Sequence, residues 1–170
     1  MKQFCSITIG IFFVCLISSC DYYFIEPHKE HVGFIPHTGF LEPEEFPPCF
    51  PEKIFPYYYG RSRAGFEHGL DSLKTKLFNS YNNFGNTSIT GYITIRFLIN
   101  CQGEVGRFEI KSLGTDYKKK KLDIRVEQHL VDAIKELRDW KPIVFNDDNY
   151  DSFYHLTFKI INGELKAILP

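Results

Sequence analysis

Gly91-Tyr92-Ile93-Thr94-Ile95-Arg96-Phe97-Leu98-Ile99, followed by Asn100-Cys101-Gln102-Gly103 and then Val105 to Leu113, decides the fold. Ile93, Ile95, Phe97 and Ile99 alternate with Thr94, Arg96 and Leu98. That period of two turns one row of side chains to a core and the other away from it, as in a half-buried strand. Phe108 and Ile110 repeat the pattern on the return, with Arg107, Glu109 and Lys111 directed outward. The turn-forming residues between the two runs make them an antiparallel hairpin. A lone hairpin is marginal in water, so neighbouring segments must cover its apolar face.

Two such segments flank it. Phe66, Leu70, Leu73, Leu77 and Tyr81 recur at helical spacing, with Asp71, Lys74 and Lys76 turned outward. After the hairpin, Val126, Leu130, Ala133, Ile134 and Leu137 mark a second amphipathic helix, with Asp123 as its cap. Pro142 ends the helical pattern, and Trp140 just before it is a large apolar anchor at the helix exit. Tyr154, Leu156, Phe158 and Ile160 then alternate with His155, Thr157 and Lys159 as a third strand, closed by Asn162-Gly163, with a short continuation toward Leu169. The order helix, strand, strand, helix, strand predicts an α+β domain: a small antiparallel or mixed three-stranded sheet with two helices on one face. A right-handed crossover through the second helix places the third strand beside the first, giving the order two, one, three. Residues 153 to 160 then lie at a sheet edge.

The amino-terminal part reads differently. Lys2 precedes a short apolar run from Ile7 to Leu16, which ends in Ile17-Ser18-Ser19-Cys20 and is followed at once by Asp21. The run is too short for a membrane span, which needs about 20 apolar residues, and has the build of an export signal. Ile17-Ser18-Ser19-Cys20 resembles a bacterial lipoprotein lipobox, which implies cleavage before Cys20 and acylation of that cysteine. Two or more acyl chains suffice for stable anchoring. Residues 1–19 are thus expected to be a signal peptide, residues 20–64 a tether rich in proline and aromatics, and residues 65–170 the folded domain. The prolines favour extended backbone in the tether, while Phe34, Phe40, Phe46, Phe50, Phe55 and Tyr57 make it apolar enough to pack back on the domain.

Loss of Lys2 takes the formal net charge from −1 to about −2, and the basic cluster Lys118 to Lys121 is flanked by Asp116 and Asp123. This balance argues against nucleic acid as a partner. Cys5 and Cys15 leave with the signal and Cys20 takes lipid, so Cys49 and Cys101 remain as a candidate disulfide pair in a disulfide-permissive compartment. No CxxC unit, nucleophile elbow, P-loop or HExxH motif occurs. His28, His31 and His37 sit beside Glu26 and Glu30 in a segment without a rigid scaffold, and His129 and His155 are single imidazoles on helix and strand surfaces. No cofactor, metal or catalysis is expected.

The order of elements, together with Gly91 to Phe97, Gly103, Val105, Leu122-Asp123, Trp140-Lys141-Pro142 and Phe158-Lys159-Ile160, resembles the C-terminal domain of TonB and TonB-like lipoproteins over residues 65 to 165. This chain departs from the pattern at Asn79 to Gly85, where the family carries a Tyr-Pro motif. The resemblance implies that Phe153, Tyr154, His155, Leu156, Thr157, Phe158, Lys159 and Ile160 form the edge strand that accepts an incoming strand of a protein or peptide partner. The expectation is therefore a membrane-anchored lipoprotein of the cell envelope that binds a partner without catalysis. The alternative is an energy transducer of the TonB type, whose N-terminal segment stays uncleaved as a membrane anchor and couples to outer-membrane transport.

Overall fold

The computed structural model describes residues 46–59, 62–84 and 88–170, all within one compact unit. The lipobox, Cys20 and the histidines of the tether lie outside the described residues. The architecture is α+β. Helix α1 is Gly69–Ser80 and helix α2 is Ile124–Glu136. The main sheet holds β1 (Gly91–Ile99), β2 (Val105–Leu113), β3 (Ser152–Ile161) and β4 (Glu164–Leu169). Its order is β2-β1-β3-β4, and each adjacent pair is antiparallel.

The predicted order of the first three strands is present, but the sheet has four strands rather than three. Ile161 pairs with Glu164 across Asn162-Gly163, whose φ angles of 52° and 80° are both positive. Such a two-residue turn matches the twist of the flanking strands and sends the chain straight back along β3. Ile168 then lies opposite Phe158 and joins the core, so the extra strand adds apolar burial as well as backbone pairing.

Alternation along β1 sets the layers. Ile93, Ile95 and Phe97 are fully buried, while Tyr92, Thr94 and Arg96 are half-buried on the opposite face. Leu73 and Leu77 from α1 and Val126, Leu130, Val131 and Ile134 from α2 form one core with Ile93, Ile95, Leu156 and Phe158. The α2 start is fixed by Asp123, whose carboxylate accepts the Arg125 backbone N–H at 2.9 Å. Phe66, read as the first turn of α1, instead stands before it in extended backbone paired with Trp140. Trp140 packs edge-on against Phe66 and Phe97, and its indole N–H donates to the Ile134 carbonyl at 3.3 Å.

The expected boundary between residues 64 and 65 is not a structural boundary. Phe55 and Ala64 belong to the same core as the sheet and helices. Phe55 forms a parallel bridge with Ser152, and Cys49 is disulfide-bonded to Cys101 with the Cα atoms 6.0 Å apart. At Gly106 the ring of Phe46 occupies the space a side chain would take, since a Cβ there would lie 2.3 Å from it. Proline-rich backbone has no regular ladder to hold it, and these separate attachments fix it to the domain instead.

Candidate functional site

The same features correct the site read from the sequence. Phe153, Tyr154, His155, Leu156, Thr157, Phe158, Lys159 and Ile160 belong to an interior strand, because β1 pairs along one side of β3 while β4 pairs with residues 157 to 161 on the other. At the start of β3, the Phe153 N–H donates to the Phe55 carbonyl at 2.9 Å. The physical reason is the burial offered by Phe55, Leu165 and Ile168, which draws the proline-rich arm (residues 46–57) and the C-terminal segment onto the backbone groups of β3 that β1 leaves unpaired.

The residues of β3 that face away from the helices instead line the outer face of the sheet. Thr94 and Thr157 are hydrogen-bonded through their hydroxyls at 3.0 Å, and the Arg96 guanidinium donates to Glu109 at 3.0 Å while lying over the Phe153 ring. Lys111 shares the same carboxylate at 3.1 Å. Tyr57, carried by the arm, meets Tyr154 and His155 edge-on. Tyr57, Thr94, Arg96, Lys111, Phe153, Tyr154 and His155 border an open cleft of about 500 Å³. Burial and then the nearby Arg96 charge push the His155 imidazole below its ordinary value, so it is held neutral there. Burial first, with Tyr57 adding to it, raises the Tyr154 phenol. The cleft is therefore an apolar and aromatic surface with two cations sharing one carboxylate. The other single imidazole, His129, packs against Tyr81 and Phe84, with Nε2 at 3.2 Å from the Asn82 backbone nitrogen and 3.0 Å from the Ser80 carbonyl oxygen. It ties the end of α1 to α2.

Two strands now form the edges of the sheet. Along β2 the backbone is blunted at both ends. Phe46 covers Gly106, Arg107 takes a positive φ of 54° beside a register shift, and the loop after Leu113 folds back so that Lys120 N–H donates to the Ser112 carbonyl. Bulges and coverings of this kind keep an edge from pairing with other chains. Along β4 the outer side carries no strand among the described residues. Its side chains alternate between exposed Glu164, Lys166 and Leu169 and the partly covered Leu165 and Ala167.

One cluster escaped sequence reasoning. Asp151 is fully buried and accepts the Phe50 N–H at 2.6 Å through one oxygen and the Cys101 N–H at 2.9 Å through the other. It thus joins the two segments that carry the disulfide. Backbone amides are common to almost every residue, so no sequence signal could have named these partners. Among the described residues, no helix is long and apolar enough to cross a membrane. Comparison with known proteins finds no significant match to a family model, a curated sequence or a solved structure.

Proposed function

We propose that this chain is a lipoprotein anchored in the cell envelope through Cys20, whose domain captures an extended protein or peptide segment by strand addition and carries out no catalysis. The observation that carries the reading is the outer side of β4, a row of backbone donors and acceptors with no strand against it among the described residues. An incoming strand would extend the four-stranded sheet there, with backbone pairing supplying attraction and the exposed Lys166 and Leu169 selecting its side chains. The resemblance of residues 65 to 165 to the TonB C-terminal domain supports a binding role, with the receiving edge moved from β3 to β4. The lipobox reading of Ile17-Ser18-Ser19-Cys20 supports the anchor.

Site-specific photo-crosslinking in intact cells tests the proposal. A photoreactive residue at Leu169 should give a discrete adduct, whereas one at the outward Lys74 of α1 should not. Adducts from Lys74 alone, or from neither position, would contradict the reading. Intact-mass measurement of the membrane fraction should show a chain beginning at Cys20 with added acyl mass, and an unmodified chain beginning at Met1 would remove the anchor.

A further inference from the structure

The Cys49 and Cys101 pair and Asp151 stand together at the base of the arm, with one potential ligand atom from each lying within 4.8 Å of the others. We propose that the reduced form of this protein holds a divalent, thiol-seeking metal ion of the zinc(II) class between Cys49, Cys101 and Asp151. The disulfide then acts as a cap that closes the site under oxidising conditions.

Three features carry the inference. First, the disulfide is not the sole tie at the site: the Phe50 and Cys101 amides are held by Asp151, Phe55 is bridged to Ser152, and Phe46 is seated on Gly106. The two thiols released by reduction are therefore kept close to each other and to the carboxylate, which removes most of the ordering cost of ligation. Second, the carboxylate has capacity to spare. Each of its oxygens accepts one N–H, and an ionised carboxylate offers about four lone-pair sites. Third, the chemistry and access fit. Two thiolates and one carboxylate, with solvent in a fourth position, make a tetrahedral set with bonds of about 2.3 Å to sulfur and about 2.1 Å to oxygen. Both cysteines are only partly buried, so an ion can reach them, whereas Asp151 beneath them is fully enclosed.

A phosphine, with one water molecule, reduces the disulfide to two thiols and leaves as the phosphine oxide. M²⁺ then displaces the two thiol protons into solvent. A disulfide oxidant of the oxidised-glutathione class takes up the two electrons and two protons, leaving as two thiols, as the Cys49–Cys101 bond re-forms and M²⁺ is released.

Cobalt(II) titration under anaerobic conditions tests this on the full chain carrying Cys5→Ala, Cys15→Ala and Cys20→Ala, so that only Cys49 and Cys101 remain as thiols. After phosphine reduction, a thiolate-to-cobalt charge-transfer band should rise to an endpoint of one ion per chain and be displaced by zinc. The oxidised chain should give no band. Asp151→Asn, checked for folding by circular dichroism, should weaken cobalt affinity at least tenfold. An absent band in the reduced chain, a stoichiometry of one ion to two chains, or undiminished affinity in folded Asp151→Asn would overturn the proposal. If that variant does not fold, the reduced and oxidised forms of the parent chain decide the matter.

Discussion

Trp140 ties α2 to the sheet and to the segment before α1. It is 5 % exposed, stands edge-on to Phe66, Phe97 and Tyr154, and anchors α2 through its indole N–H. Truncating a buried aromatic costs about 3–5 kcal/mol, so Trp140→Ala should lose that much stability in urea denaturation. A shift below about 1 kcal/mol would show that the indole is not a core group. His155 carries a different consequence. Burial, followed by the Arg96 charge, lowers its folded-state pKa, so the unfolded chain binds more protons as pH falls. The stability that neutral His155 contributes is fully present above its ordinary value near 6.5 and is lost as pH falls through the lowered folded value. His155→Gln should therefore flatten the pH dependence of unfolding below pH 6.5. An unchanged slope would place the acid sensitivity elsewhere. Trp140 was legible as an anchor because its spacing from Leu137 and Pro142 marks the helix exit. Asp151 was not, because its partners are amides 101 and 50 residues away in the chain.

Among the elements, β1 announced itself because buried Ile93, Ile95 and Phe97 alternate strictly with more polar neighbours. The β4 segment hid in plain view. A register shift between Leu165 and Ala167 breaks its alternation, so Leu165 and Ile168 fall three residues apart while both serve the core. Only the Asn162-Gly163 pair pointed to the returning strand, and its meaning depends on both residues adopting positive φ. Gly163 at φ 80° is the position where a side chain is costly. Gly163→Ala should cost about 1–2 kcal/mol. It should also speed amide exchange in residues 164–169 while leaving β1 and β2 protected. Uniform acceleration across the sheet would show that β4 is not a separable unit. For the arm, its aromatics showed that it would pack back and Cys49 and Cys101 marked a candidate tie, but its proline-rich backbone has no period to read, so the places where Phe46 and Phe55 attach were not legible.

At the scale of the whole molecule, the side of β3 turned away from β1 is covered by two other parts of the same chain. The arm covers the start of β3 and β4 covers its end, so a surface that the order of elements left open becomes interior. Fold class and the order of the first three strands were readable because they follow from local period and a general handedness. Which strand finally lies outermost was not, because it depends on nonlocal burial of Phe55 and Ile168. The proposed function moves accordingly to the last strand. Lys166 falls at the register shift and has no Cα partner on β3, so proline there removes a backbone donor while sparing the paired positions. The direct test is the adduct yield from a photoreactive residue at Leu169, compared between Lys166→Pro and Lys166→Ala in intact cells, with amide exchange showing β3 equally protected in both. The account predicts that the proline variant loses the adduct at least tenfold and the alanine variant keeps it. Equal yields from the two folded variants would contradict strand addition at β4.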